Sequence, residues 1–132
     1  LPENDLVYFI LDTIGELDVS AISATYEQQE RGYPPYHPRM MVALLLYSYC
    51  RGIFSSRKIM QACQEHISFR VIVGDDLPNF RTISDFPKRH LKALQALFVQ
   101  VLRLCQEAGL VKLDAIALDG AKIKATLSPR SD

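Results

Sequence analysis

The chain has 132 residues, 48% of them hydrophobic and 23% charged, which fits one compact domain, or one domain plus part of a second, with apolar material enough for a core. Fifteen basic and fifteen acidic side chains cancel to a formal net charge of zero, so no overall basic or acidic character selects a partner class. No apolar run reaches bilayer-spanning length, and the acidic opening Leu1-Pro2-Glu3-Asn4-Asp5 lacks the basic-then-apolar pattern of a signal peptide, which together point to a cytoplasmic protein without a membrane anchor.

Residues 5–16 read as a first helix with Leu6, Phe9, Ile10 and Ile14 on one face, and 20–30 as a second. Arg31-Gly32-Tyr33-Pro34-Pro35-Tyr36-His37-Pro38 is a stiff aromatic connector, and Pro38 suits the first position of the next helix. That helix, 38–51, is apolar nearly all round from Met40 to Tyr47, the pattern of a helix at the centre of a domain, and Gly52 is its expected C-terminal cap. Ser55 or Ser56 caps a helix over 55–66, with Ile59, Cys63 and Ile67 at four-residue spacing. Residues 74–79 form a loop. Thr82-Ile83-Ser84-Asp85 resembles a capping box, and Pro87 predicts a short helical turn at 83–86, a kink, and a long helix over 87–108 ended by Gly109. On that helix Leu91, Leu94, Phe98, Val101 and Cys105 form a stripe for the core or for a partner helix.

Beyond Gly109 the pattern changes: 111–118 and 121–125 read as strands. Two lone strands are marginal in water, so they are expected to begin a larger sheet. Cys50, Cys63 and Cys105 are odd in number, widely spaced and without a CxxC pair, which argues against a disulfide framework or a zinc knuckle. They read as core thiols.

The zero net charge conceals an uneven distribution. Residues 1–30 hold seven acids and no Lys or Arg, whereas 31–103 hold eleven bases against four acids. Arg57, Lys58, Arg70, Arg81, Lys88, Arg89 and Lys92 make up the basic middle. Such bases supply sequence-independent affinity for phosphate, and helix 55–66, the connector and helix 83–86 with its continuation could form a helix-turn-helix-like pair; solvated helix faces explain the same bases without a ligand. Asp119-Gly120 also supports two readings. Asp-Gly between apolar runs is a strong hairpin-turn signal, and on pattern alone the turn is the simpler account. The other reading is a carboxylate at a strand end that helps hold Mg²⁺. His37, His66 and His90 lie far apart without partners at ligand spacing, and no Ser–His–Asp, Cys–His or glycine-rich phosphate pattern is present.

Several words of the sequence resemble the N-terminal domain of bacterial insertion-sequence DDE transposases. They are Tyr36-His37-Pro38-Arg39-Met40-Met41, Leu44-Leu45-Leu46-Tyr47-Ser48-Tyr49-Cys50-Arg51-Gly52, Ser55-Ser56-Arg57-Lys58-Ile59, Asn79-Phe80-Arg81-Thr82-Ile83-Ser84-Asp85-Phe86, Lys88-Arg89-His90-Leu91 and Leu118-Asp119-Gly120-Ala121-Lys122-Ile123-Lys124-Ala125. The resemblance implies a helical DNA-binding region followed by an RNase H-like nuclease domain whose two aspartates and one glutamate bind Mg²⁺. Asp119 matches the first aspartate, which turns the balance at that position toward a catalytic metal ligand. Pro87 and Ala121 depart from the family pattern, and the second aspartate and the glutamate would lie beyond Asp132.

The expected fold is therefore mainly α: a multi-helix domain over 1–110, then a β-hairpin over 111–132 that begins a truncated RNase H-like α/β domain. The resemblance implies double-stranded DNA of the transposon ends as partner, with a homodimer as a further expectation. Arg39, Arg57, Lys58, Arg81, Thr82, Ser84, Lys88, Arg89, Lys122 and Lys124 are the DNA-contacting candidates. The fragment alone is expected not to cut DNA. A helical DNA-binding regulator, or a remnant of a decayed transposase, is the alternative without chemistry, and an interaction module using the 91–105 stripe is a third. In an enzyme carrying the whole triad, Asp119→Asn is expected to abolish strand cleavage while leaving DNA binding nearly unchanged. Asparagine suits an Asp-Gly turn but removes the charge a hard cation needs. Normal Mg²⁺-dependent cleavage by that variant would take Asp119 out of the active site.

Overall fold

Short polar residues start several of the helices, and the computed structural model describes the result for residues 5–28 and 36–109. Asp5 begins α1 (Leu6–Glu16), its Oδ1 accepting from the Val7 amide at 3.0 Å. Asp18 does the same for α2 (Ser20–Gln28), accepting from the Ser20 amide at 2.9 Å; its hydrogen bonds to Ser20 hold its carboxyl below the usual range. The buried face of α1 is Val7, Ile10 and Ile14, while Leu6 and Phe9 are half-buried, so the stripe is rotated from the one expected.

Helix α3 (Pro38–Cys50) is the centre. Pro38 occupies its first turn, and every side chain from Met41 to Tyr49 is buried. The polar groups this places inside are satisfied locally: Ser48 Oγ donates to the Leu44 carbonyl at 2.6 Å, and Arg51 Nη1 donates to the Tyr47 hydroxyl at 2.9 Å. Gly52, at φ 78°, takes the left-handed conformation that ends the helix. Helices α1, α5 and α6 pack on α3. Tyr49 meets Phe98 of the last helix edge-to-face at 5.8 Å, and Tyr47 meets Phe69 at 5.1 Å.

Three expectations about the second half change. Helix α4 (Ser56–Glu65) follows its Ser55 cap as expected, but His66 breaks the chain with φ −113° and ψ 132°, and a separate α5 (Ile67–Val73) follows. The break takes Ile67 off the Ile59–Cys63 stripe: it is 70% exposed, while Phe69, Ile72 and Val73 turn inward. Helix α6 (Phe80–Arg89) starts before the anticipated box at Thr82, because Asn79 caps it by accepting from the Thr82 amide at 2.9 Å. It also runs through Pro87. That residue lies in the last turn, where the lost amide costs one hydrogen bond and the helix is about to end anyway. The break falls at His90, and α7 (Leu91–Glu107) begins afresh. Leu94, Leu97, Phe98, Val101, Leu102 and Cys105 of α7 are buried, so its stripe is core rather than a partner-helix surface.

Among the described residues the protein is helical, and no helix is long and apolar enough to cross a membrane. The strands expected at 111–118 and 121–125, and the second domain of 111–132 with them, lie outside the described residues. The three cysteines are free. Burial pushes the Cys63 and Cys105 thiols up to about 11, as expected of inert core thiols. Leu45 and Leu94 are fully buried on α3 and α7. Replacing either with alanine is expected to cost about 2–5 kcal/mol in denaturant unfolding, through lost burial and a residual cavity. Near-native stability in both variants would contradict this core.

Candidate nucleic-acid interface

Two ten-residue helices carry five of the seven bases that make up the basic middle of the chain, with Arg70 on α5 and Lys92 on α7. Helix α4 turns Ile59, Ala62 and Cys63 inward and exposes Arg57, Lys58, Gln61, Gln64 and Glu65. Helix α6 buries Ile83, Phe86 and Pro87 and exposes Arg81, Asp85, Lys88 and Arg89, with Thr82 and Ser84 half-buried. The two helices pack against each other, so their polar faces form one surface. They are not consecutive, as a simple helix-turn-helix would require, because α5 intervenes and packs on both α4 and α3.

The first turns of α4 and α6 meet at the Phe80 ring. The Arg57 guanidinium lies over the Phe80 ring, its carbon 3.9 Å from the ring centroid, and that of Arg81 lies 5.8 Å from the same centroid. A guanidinium stacked by its face keeps its in-plane N–H donors free to fork onto a phosphate. Both helices also direct the positive ends of their dipoles into this region, which favours an anion there. Asp85 and Glu65 are the acids on the two helices; Glu65 accepts from Gln61 Nε2 at 3.1 Å. Among the described residues neither Arg57, Lys58, Arg81, Lys88 nor Arg89 forms an ion pair. Arg70 does, with Asp75 at 3.4 Å, an exposed pair that contributes little to stability. The approach to α6 is steadied from the connector, where the Tyr36 hydroxyl donates to the Leu77 carbonyl at 3.1 Å.

A second basic feature lies at the α6–α7 joint. A shallow cavity of about 340 Å³ is lined by Lys88, Arg89, His90 and Lys92, with Ala21 from α2. His90 is 5% exposed, its ring 4.7 Å from that of Phe86. Burial first, and the Arg89 charge second, lower its pKa, so the imidazole is neutral near pH 7 and the positive charge comes from Lys88, Arg89 and Lys92.

Of the residues singled out from sequence, Arg57, Lys58, Arg81, Thr82, Ser84, Lys88 and Arg89 are therefore brought onto the α4–α6 surface. Arg39 is used differently. Its Nη1 donates to the carbonyls of Ile14 at 2.5 Å and Leu17 at 2.7 Å, closing the C-terminal end of α1 from the first turn of α3. Phe80 was not anticipated; the signal available was an aromatic residue next to a base directly after an Asn cap. Asp119, Lys122 and Lys124 lie outside the described residues. Among the described residues no group of three or more His, Cys, Asp or Glu could hold a metal ion.

A family model described as Transposase domain (DUF772) matches residues 1–89, which takes in α1 to α6 and ends at the last residue of α6. No curated protein and no solved structure matches the chain.

The two roles of arginine can be separated by experiment. Arg39→Ala is expected to destabilise the fold by about 1.5–3 kcal/mol, the usual worth of hydrogen bonds from a charged donor, because the α1 carbonyls lose their partner. Thermal unfolding of this variant beside Arg57→Ala is the comparison, with Arg57→Ala expected to lose only the smaller amount, about 0.5–1 kcal/mol, of an exposed cation–π contact. Equal melting of the two would refute the clamp.

Proposed function

The chain belongs to the Transposase domain (DUF772) family, and from that premise we propose that its α4–α6 surface binds double-stranded DNA. The observation that carries this reading is that two packed helices expose Arg57, Lys58, Arg81, Lys88 and Arg89, with Arg57 and Arg81 brought to the same Phe80 ring. None of these cations forms an ion pair among the described residues. A solvated surface needs no such concentration of one sign, whereas a phosphate backbone does. Helix α6 is ten residues long, and an α-helix fits a major groove, with Thr82, Ser84 and Asp85 as groups able to meet base edges. Lys88, Arg89 and Lys92 would extend the phosphate track to the α6–α7 joint.

The preferred ligand is the end DNA of a mobile element. The full reaction is Mg²⁺-dependent strand cleavage and transfer by a longer DDE enzyme, acting as a homodimer, with Asp119 as the first metal ligand and Lys122 and Lys124 beside the DNA backbone. These finer statements rest on the sequence resemblance. Among the described residues no group of three or more His, Cys, Asp or Glu could hold the metal. A DNA-binding regulator would use the same surface without chemistry, and a cleavage assay on the longer protein separates it from the enzyme.

For the 132-residue chain, binding to a labelled duplex should weaken steeply with salt, log affinity falling by about 0.9 per phosphate contacted for each unit of log salt. Replacing Arg57, Lys58, Arg81 and Arg89 together with alanine should flatten that slope and weaken binding, while each change alters stability by no more than about 1 kcal/mol. Unchanged affinity in a folded quadruple variant would move the interface elsewhere.

A further inference from the structure

We infer that Phe80 is a positioning residue for DNA contact, a platform that holds the Arg57 guanidinium in a phosphate-ready orientation across the α4–α6 boundary. The inference rests on the DNA-binding reading above and adds a residue and a mechanism to it. Phe80 is the first residue of α6 and is half-buried; Arg57 is the second residue of α4 and is exposed. An exposed arginine on an open helix face would normally sample many rotamers and lose that freedom on binding. At 3.9 Å from the ring centroid the Arg57 guanidinium carbon is in close face contact, so a large part of the ordering is completed before any ligand arrives. The geometry also determines which atoms are left. The ring covers one side of the guanidinium, and no hydrogen bond or ion pair to that guanidinium exists among the described residues, so its N–H donors face no competitor. The Arg81 guanidinium carbon, 5.8 Å from the same centroid, places a second cation beside the same ring. Two cations held close without an intervening ion pair repel each other, and an anion between them relieves that repulsion.

The contact has a further effect because its two members belong to different helices. Arg57 comes from the helix after Ser55 and Phe80 from the helix after Asn79, so the stack fixes one helix terminus relative to the other. A phosphate bound by Arg57 is thereby placed in a defined register against the polar face of α6.

The experiment is a double-mutant cycle on the 132-residue chain, read by fluorescence anisotropy with a labelled random-sequence duplex across a salt series. Arg57→Ala should weaken binding and lower the salt slope by about 0.9, one phosphate contact. Phe80→Leu keeps an apolar side chain against the core but removes the ring. It should weaken binding about two- to fivefold, the worth of an exposed cation–π contact, with little change in slope because every charge remains. Phe80→Tyr should bind like the parent. In the Arg57→Ala background, Phe80→Leu should have no further effect. An equal loss in both backgrounds would mean that Phe80 touches DNA by itself, as a base-stacking ring does, and overturns the positioning role. No loss from Phe80→Leu in either background overturns it as well. In the free protein, NMR should show ring-current-shifted Arg57 side-chain protons that return to ordinary positions in Phe80→Leu; ordinary shifts in the unaltered chain overturn the inference regardless of DNA. Absence of any salt-sensitive binding by the unaltered chain defeats the DNA reading itself, whereas salt-sensitive binding with an additive cycle defeats only the role of Phe80.

Discussion

A helix without a solvent face has to be enclosed by other elements, and α3 imposes that requirement on this fold. From Met41 to Tyr49 every side chain is buried, so neighbours are needed on all sides. Helices α1, α5 and α6 supply most of them, and α7 reaches α3 through the Phe98–Tyr49 ring pair. Each fully buried leucine along α3 contributes about 1.5–3 kcal/mol relative to an exposed one, which is why the enclosing helices present their apolar stripes to it. Helix α4 is placed by the same requirement at one remove. It packs on α5 and α6, the helices that touch α3, and its outward face is left to water and charge. The candidate interface is thus the outer side of a second layer.

Much of this was legible in the sequence because it depends on local pattern. The apolar run of α3, the Ser55 cap, the glycine stops at Gly52 and Gly109, and the Leu94–Phe98–Val101–Cys105 stripe all lie where periodicity and capping chemistry place them. The errors share a cause: a tertiary context that one strand of text does not carry. Ile67 continues a four-residue spacing, yet a single extended residue at His66 turns it outward. Pro87 looks like a breaker, but a proline in a closing turn removes only one hydrogen bond, and the Asn79 cap had already started the helix upstream.

The same limit applies to function. Arg39, Arg51, Arg57, Arg70 and Arg81 are equivalent as letters, and all lie in the basic middle of the chain. In the fold Arg39 closes the end of α1, Arg51 donates to Tyr47, and Arg70 pairs with Asp75. Arg57 and Arg81 instead share the ring of Phe80. What separates a structural cation from one free to meet a ligand is the set of acceptors within reach. Composition reveals the surplus of bases, and only packing shows where it is left over.

His66 ends α4 and starts α5, and His90 ends α6 and starts α7, so each of these joints is one residue long. A joint of that length has no slack. Adding or removing one residue there would turn the following helix by about 100° on its axis. At the first joint this would swing Phe69 away from Tyr47; at the second it would swing Phe98 away from Tyr49. The loop of residues 74–79 carries no such constraint, since six residues can absorb a change in length without turning either helix. Changes in chain length should therefore be accommodated between α5 and α6, while the two histidine joints keep a fixed residue count.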